Sequence, residues 1–353
     1  MRVRNLWIML AIGCFFAGTI FGCGDDSTGT NENENQFPCD YDGVCDDGED
    51  RAWCSDCAVQ CDLNEGDNYD YIISELILPE SASDGIGVDM TGDGVVNNRL
   101  ASLLGVVPEG DTNPNDAVAE AIDNGTIIML GRLVVSDWEN DEAMAVQVFQ
   151  GTSDATEQLF DVGNNNASIA DGFDRSLHLC GTLTSGYVEA GPSDLNISIA
   201  FGDMTLDLPL ERAQVVAMEM PMTQDDWTDV MIGGGVSQDT INNTIIPEVV
   251  SWLNEATIED PEGGVGDFVI NSLDGDCSPT PEGCEGVVAG EGECAIWDPV
   301  ADPDGPVITE TEIKCSNLFA TALKPDVDSD GDGVKDMLSL GVMVSAVSIT
   351  IDN

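Results

Sequence analysis

A series of β-type apolar runs constrains the fold of this chain most strongly. Apolar residues are nearly continuous over 126–135 and 143–149, as in strands that are buried on both faces. In 195–201 and 204–210 they alternate with small or polar residues, and the two runs meet at Gly202-Asp203, which is typical of a hairpin turn. The pattern predicts a mainly β fold, a β-sandwich or a barrel-like domain, with a few short helices.

Shorter elements surround these runs. Strands are predicted over 71–78, 215–220, 230–232 and 339–351, and helices over 100–105, from Asn113-Pro114 to Gly125, and after a Ser237 cap. Pro247 predicts a kink in the last helix, or two short helices. Gly233-Gly234-Gly235 predicts a turn or bulge rather than a phosphate cradle, because the P-loop lysine is missing. Residues 259–306, rich in Gly, Pro, Glu and Cys, predict an irregular insert.

Two nine-residue segments place side-chain oxygens at their first, third, fifth and ninth positions. Oxygen ligands at this spacing suit a hard cation such as Ca²⁺, with a glycine at the sixth position for the sharp turn and a backbone carbonyl at the seventh. The predicted ligands are Asp328, Asp330, Asp332, Val334 and Asp336 in one segment, and Asp89, Thr91, Asp93, Val95 and Asn97 in the other. The second set is predicted to bind more weakly, because two carboxylates are replaced by neutral oxygens. The alternative is an acidic turn that binds nothing.

Both segments resemble the calcium repeats of thrombospondin type 3 and, more loosely, the EF-hand loop. The twelfth position separates the two families, because an EF-hand carries a bidentate Glu there. Here Leu100 and Ser339 occupy that position. The resemblance therefore implies a calcium-stabilised loop rather than a sensor that opens a pair of helices.

The charge of the chain is strongly negative. Lys plus Arg is 10 against 67 Asp plus Glu, which gives a formal net charge of -57. This field excludes nucleic acid and anionic lipid as partners and favours divalent cations or a salty medium. Calcium binding and adaptation to a saline habitat both remain open as its origin.

The N-terminus predicts export. Arg2 and Arg4 precede an apolar run over 6–21, and the end of this run forms the segment Ile20-Phe21-Gly22-Cys23 with the two residues after it. This resembles the bacterial lipoprotein signal, which implies a signal peptide over 1–22, lipidation of Cys23 and a location on the outer membrane or cell surface, anchored by lipid. Ordinary signal cleavage and an uncleaved anchor are the alternatives. Residues 23–38 are polar and predict a disordered tether.

The chain contains 12 cysteines, five of which lie within 39–61. This stretch resembles the short disulfide repeat of myxobacterial surface proteins, and the whole layout resembles lipoproteins of myxobacteria and their relatives. Zinc binding by Cys54 and Cys57 competes with this interpretation, but an exported chain keeps its thiols oxidised. An odd count of five predicts one bridge to the β-rich domain over 62–353, with Cys180 as the candidate. The predicted disulfide cysteines are Cys39, Cys45, Cys54, Cys57, Cys61, Cys180, Cys277, Cys284, Cys294 and Cys315.

Catalytic patterns are weak. The chain has one histidine, His178, which we interpret as structural, and no Gly-x-Ser-x-Gly elbow. The expected function is a calcium-binding surface lipoprotein with a structural or adhesive role, whose candidate partners are the membrane, a surface polysaccharide or another envelope protein. The alternative is a calcium-dependent hydrolase or glycan-binding module, with Trp138 and Trp227 as candidate sugar-stacking side chains.

Overall fold

The computed structural model describes nine segments of the chain: residues 57–81, 84–99, 114–152, 166–201, 204–217, 222–261, 264–273, 308–329 and 334–352. All of them belong to one of two contact-defined units, Phe37–Asn353, and the other unit is Met1–Gln36. The predicted signal peptide, the tether, most of the cysteine repeat, the helix over 100–105 and residues 274–306 of the predicted insert lie outside the described residues.

Within the nine described segments, ten strands form the sheet, and eight of them close an antiparallel barrel. The strands are β1 (Asp67–Ile77), β2 (Met129–Val135), β3 (Asn140–Thr152), β4 (Asn166–Ile169), β5 (Leu179–Thr184), β6 (Tyr187–Phe201), β7 (Met204–Ala217), β8 (Asp226–Ser237), β9 (Met337–Ser348) and β10 (Thr350–Asp352). Around the barrel the order is β3-β2-β1-β9-β8-β7-β6-β5, and pairing of β3 with β5 closes the ring. The barrel-like form of the predicted β fold is therefore confirmed.

The remaining two strands make a small outer layer. β10 pairs with β4 in parallel, and β4 pairs with the end of β3. A second apolar cluster lies beneath this layer and includes Ile72, Leu130, Phe149 and Ile351. Side chains on both faces of β1–β3 are consequently buried, which explains why these strands are apolar almost without interruption.

Six short helices complete the described part of the chain. They are α1 (Pro114–Asp123), α2 (Gln238–Thr240), α3 (Ile246–Glu259), α4 (Gly264–Phe268), α5 (Glu310–Cys315) and α6 (Asn317–Ala322), with π-helical turns at Ile241–Ile245 and Val269–Leu273. α1 contacts both β1 and β6, which lie on opposite sides of the ring, so it must cross one end of the barrel.

The barrel interior is organised around Trp227, which is 1% exposed. Its ring lies 4.8 Å from the ring of Tyr71, and a Cβ atom at Gly131 would lie 2.6 Å from its Cη2 atom. Gly131 is the register partner of Tyr71. The glycine thus leaves on β2 the space that the indole fills, and Trp227 is a buried core residue of β8 rather than the sugar-stacking side chain of the alternative function.

Several local predictions can be compared with these elements. The hairpin is confirmed, since Phe201 pairs with Met204. The cap is also confirmed, because the Ser237 side chain accepts a hydrogen bond from the Thr240 backbone N–H. At Pro247 the helical run is not split; the π-turn over 241–245 precedes the proline, which then occupies the first turn of α3, where a missing N–H is tolerated.

Two other predictions differ in part from the structure. Gly233-Gly234-Gly235 lies within β8 rather than in a turn, and the bulge lies opposite it, where the register of β7 shifts between Glu211 and Gln214. Atoms of Val88, Leu210 and Met337 lie too close to these three positions for side chains there. The predicted insert begins with ordered helix, α4 and the π-turn after it, since Val269 and Leu273 are buried in the main core. The helices α5 and α6 were not predicted from the sequence.

Candidate metal centre

The two predicted calcium segments lie on the same outer face of the barrel. We call residues 89–97 loop A and residues 328–336 loop B. In the sequence, loop A lies between β1 and α1, and loop B directly precedes β9. Their anchoring residues Val88, Met90, Val327 and Met337 form one apolar cluster with Val216 and Met231 of the barrel. Segments about 240 residues apart in the sequence therefore share one small core.

Loop A is closed by its ninth position. The Asn97 N–H donates to the Val88 carbonyl (3.0 Å), and the Asn97 Oδ1 atom accepts from the Met90 N–H (2.9 Å). The two contacts tie the end of the loop to the residues on either side of its first ligand, Asp89. The carboxamide of Asn97 is consequently directed into the loop rather than into solvent.

Three of the predicted ligands of loop A converge. The Thr91 hydroxyl lies 3.4 Å from Asp89 Oδ1 and 3.4 Å from Asn97 Oδ1. The Asp89 carboxylate also accepts from the Gly92 N–H (2.8 Å) and the Gly94 N–H (2.7 Å), which curl the backbone around it. The fourth side chain, Asp93, accepts from the Val95 N–H (2.8 Å) and is exposed.

Loop B repeats the same closure. The Asp336 N–H donates to the Val327 carbonyl (2.9 Å), and the Asp336 Oδ1 atom accepts from the Ser329 N–H (2.9 Å). The Ser329 hydroxyl donates to the other oxygen of Asp336. The first two bonds match those of loop A position for position, whereas the hydroxyl bond has no counterpart there because Met90 occupies the position of Ser329. Asp330 and Asp332 lie outside the described residues, so Asp328, Val334 and Asp336 are the predicted ligands that can be placed.

Glycines on β8 and β9 allow both loops to lie against the barrel. A Cβ atom at Gly341 would lie 2.4 Å from the Gly87 Cα atom, and one at Gly233 would lie 2.7 Å from Val88 Cγ2. At Gly235 the corresponding neighbour is the Met337 Sδ atom, at 2.6 Å. The outer face of the barrel is thus shaped for the loops, which gives the Gly233–Gly235 run a packing role.

Ser339 connects the two loops and is fully buried. Its N–H and hydroxyl donate to the two carboxylate oxygens of Asp326, just before loop B (2.8 and 2.7 Å). Its carbonyl and hydroxyl oxygens accept from the Arg99 N–H, just after loop A (2.9 and 3.0 Å). The residue at the twelfth position of loop B is therefore a clamp between the loops, a role that the ligand spacing did not indicate.

An arginine also contacts loop B. The Arg212 Nη1 atom donates to the carbonyl of Asp328 (3.1 Å), and Arg212 itself has a φ of 53°, a conformation that non-glycine residues seldom adopt. The contact places one of the few cations of this acidic chain beside the first residue of loop B. Nothing in the motif spacing pointed to Arg212.

The donor set of loop A fits a hard cation. Carboxylate, hydroxyl and amide oxygens converge on one side of the turn, which is the ligand chemistry of Ca²⁺. Val95, whose carbonyl was predicted as a ligand, is 59% exposed, and Val334 at the same position of loop B is 62% exposed. Both loops thus present their seventh residue at the outer tip.

A different group of metal-binding residue types lies at the disulfide. Within the described residues, Cys61, His178 and Cys180 bring one candidate ligand atom each to within 4.8 Å of the others. Cys61 and Cys180 are bonded to one another, so neither offers the thiolate that a metal needs. His178 Nδ1 is 2.7 Å from the Ser176 carbonyl. The group is a disulfide with a neighbouring imidazole, chemically unlike the calcium site that we expected.

The Cys61–Cys180 bridge is the link between the cysteine repeat and the β domain that the odd cysteine count predicted. Cys57 and Cys315 are also disulfide-bonded. The other predicted disulfide cysteines lie outside the described residues and stay predictions.

The tryptophans predicted as sugar platforms pack against tyrosines. Trp227 lies in the barrel core, and the Trp138 ring is 4.8 Å from that of Tyr69 at the edge of the same cluster. Because the Trp227 side chain is buried, it has no exposed ring face on which a sugar could stack.

The comparisons with known proteins add no assignment: no family model, no curated protein and no solved structure matches the chain. Among the described residues, no helix has the length and apolar character needed to cross a membrane.

Proposed function

We propose that this chain is a calcium-binding surface lipoprotein of the cell envelope, with a structural or adhesive role. The observation that carries the proposal is the repeated closure of loops A and B. Two segments with the same ligand spacing make the same pair of hydrogen bonds at their ninth position and pack on one face of the barrel. Two unrelated acidic turns that bind no ligand would not be expected to share the same closing hydrogen bonds and the same apolar cluster.

The residues that would hold the ions are Asp89, Thr91, Asp93 and Asn97 with the Val95 carbonyl, and Asp328, Asp330, Asp332 and Asp336 with the Val334 carbonyl. A bound divalent cation would neutralise converging carboxylates in a chain whose net charge is -57. Self-repulsion of this size opposes the compact state, so the ions would act mainly as stabilisers of the loops and of the outer barrel face.

The inter-module disulfide supports the exported location, since such bonds persist in oxidising compartments. Lipidation at Cys23 would then hold the β-barrel domain close to the membrane by a short tether. In that setting, exposed loop tips and an acidic surface suit contact with a surface polysaccharide or another envelope protein, bridged by divalent cations. No described contact favours the hydrolase alternative over this one.

Thermal unfolding with and without calcium tests the proposal. The chain from residue 24 onward is unfolded in chelator, in calcium and in magnesium, beside Asp89→Ala with Asp336→Ala. Saturation at one hundred times the dissociation constant stabilises by about 2.7 kcal/mol per site, so two sites raise the midpoint by about 10 °C. A midpoint that is the same in chelator and calcium, or a shift that the double variant keeps, would reject the calcium role.

A further inference from the structure

A cleft on the barrel wall, away from loops A and B, is lined by two arginines although the chain as a whole is strongly acidic. It lies on the outer side of β1–β3, beside β4, and has a volume of 270 Å³. The described residues that line it are Leu63, Asn68, Arg132, Val134, Gln147, Phe149, Ile169 and Arg175. Two of the 10 Lys and Arg residues of the chain are in this set, and none of its 67 carboxylates is.

The first arginine, Arg132, is held rigidly. Its Nε and Nη2 atoms bind the two carboxylate oxygens of Asp70 (2.5 and 3.1 Å), and its side chain is 12% exposed. The guanidinium carbon lies 6.0 Å from the centre of the Phe149 ring. The third nitrogen, Nη1, makes no hydrogen bond to a described residue, so the guanidinium is fixed in place and keeps donors for a further partner.

The second arginine, Arg175, is held by its backbone. Its carbonyl accepts from Gln147 Nε2 (2.8 Å), and Gln147 is 4% exposed although it lies on the outer side of β3. This buried amide fixes the segment between β4 and β5 to the barrel wall. The Arg175 side chain is exposed and makes no ion pair with a described residue. It is thus a solvated guanidinium at the rim of a preformed cleft.

The apolar side chains at the base of the cleft are almost fully covered. Val134, Phe149 and Ile169 are each at most 5% exposed, and Leu63 adds a half-buried side wall. The accessible lining is therefore more polar than apolar, and its two guanidinium groups suit a ligand that is held mainly through a planar anionic group. Guanidinium matches the two oxygens of a carboxylate, and Asp70 already offsets one of the two positive charges.

We propose that this cleft binds a small organic monocarboxylate. Multiply charged anions such as phosphate are disfavoured because the surrounding chain is strongly acidic, and each added negative charge increases the repulsion. A monocarboxylate gains the two-oxygen contact with the smallest repulsion. The assignment is independent of the calcium loops, which lie on β8 and β9.

Titration with benzoate, followed by calorimetry and by the Nε–H resonances of the arginines in NMR, tests the site. A ligand of this size in a preformed cleft is expected to bind at about 1 mM. Arg175→Gln should weaken benzoate binding about tenfold, the usual loss for one charge-assisted hydrogen bond. Lys324→Gln, which removes an equal charge from an exposed position elsewhere, should leave binding unchanged.

Two further arms identify the ligand class. Benzamide has the same shape without the charge and should bind at least tenfold more weakly than benzoate, by the same estimate. Inorganic phosphate should bind more weakly than benzoate. Arg132→Lys keeps a cation beside Asp70 but removes Nη1 and the two-point contact, so it should weaken benzoate binding, and its unfolding midpoint shows whether the domain is still folded. Equal affinity for benzamide or phosphate, no benzoate binding at millimolar concentration, or an unaffected Arg175→Gln variant would each overturn the assignment.

Discussion

Loops A and B have the same closure but different ligand sets. In both, the ninth residue binds the backbone on either side of the first ligand. Loop A replaces two of the four carboxylates of loop B with Thr91 and Asn97. Their attachment differs too: the backbone of Gly87, two residues before loop A, lies against Gly341 of β9, whereas the side chain of Met337, directly after loop B, lies against Gly235 of β8. The comparison distinguishes the closing hydrogen bonds, which shape both loops alike, from the ligand side chains, which would set the affinity of each loop for an ion.

The largest expected effect concerns the attachment of loop A. Gly341→Ala places a methyl group 2.4 Å from the Gly87 Cα atom, which is backbone and cannot rotate away. We expect a loss of about 3 kcal/mol in the free energy of unfolding, at the upper end for overpacking. Gly235→Ala is the matched variant at loop B, where the flexible Met337 thioether can move, and should cost about 1 kcal/mol. Urea unfolding measures both, and equal losses would show that the loops are attached alike.

The second effect tests the clamp between the loops. Ser339→Ala removes the hydroxyl that donates to Asp326 and accepts from Arg99, and leaves a partly buried carboxylate oxygen without that donor. The expected cost is about 2 kcal/mol. If the clamp couples the loops, calcium titration of the variant should also show weaker binding at both sites. Ser345→Ala, on the same strand but only partly buried, is the control and should change neither quantity.

The third prediction exchanges the ligands of the ninth position. Asn97→Asp adds a carboxylate to loop A, and Asp336→Asn removes one from loop B, while each side chain keeps an Oδ1 acceptor for the closing bond. Ligand charge tunes calcium affinity, so the two dissociation constants should move in opposite directions by about tenfold each, or 1.4 kcal/mol. Calorimetric titration of both variants checks this. Shifts in the same direction would mean that closure, not charge, controls affinity.

The smallest expected effect on stability concerns Asp141, whose carboxylate is fully hydrogen-bonded by neighbouring protein groups. Burial of Asp141 favours the neutral acid, but hydrogen bonds from the Ser136 N–H and hydroxyl and the Ala143 N–H outweigh it, so its pKa lies below the usual 3.8. A lowered pKa stabilises the fold above pH 4 or so, and this stability is lost as the pH falls through the folded value. Asp141→Asn should lower the free energy of unfolding by about 1 kcal/mol at neutral pH. It should also make that free energy depend less on pH in the acid range.

The Asp141 variant also serves as the metal-free reference for the loops. Its loss should be the same in calcium and in chelator, when unfolding is followed between pH 6 and pH 2. A calcium-dependent loss at Asp141 would indicate a general effect of ionic strength, and would remove the basis for separating the loops from ordinary acidic turns.

The sequence specified the β class and the hairpin because alternating and continuous apolar runs report burial directly. It also located the closing residues of both loops, since ligand spacing is local. It did not reveal what lies opposite each residue. For Gly233–Gly235 the sequence left a turn and a bulge open, because a glycine run indicates turns, bulges and close packing alike, and only the contacts with Val88 and Met337 and the register of β7 decide between them.

Other residues were missed for the same reason. Ser339 carries its role through Asp326 and Arg99, one near in sequence and one about 240 positions away. The Arg132 and Arg175 cleft depends on the register of β2 with β3 and on the Gln147 contact to the following loop. Single residues with ordinary neighbours in sequence give no indication of such non-local pairings.

The disulfide between Cys61 and Cys180 changes how the domain would respond to mechanical force. The two cysteines are 119 positions apart. A pull applied through the N-terminus and resisted at the C-terminus passes across the sulfur atoms, so the backbone between them, which includes β1 to β4, cannot be extended while the bond is intact. Force enters the barrel at β5, a strand paired on both sides by β3 and β6. In a tethered protein, shear flow would therefore extend only the chain that follows Cys180, and the covalent bond would limit how far the domain can lengthen.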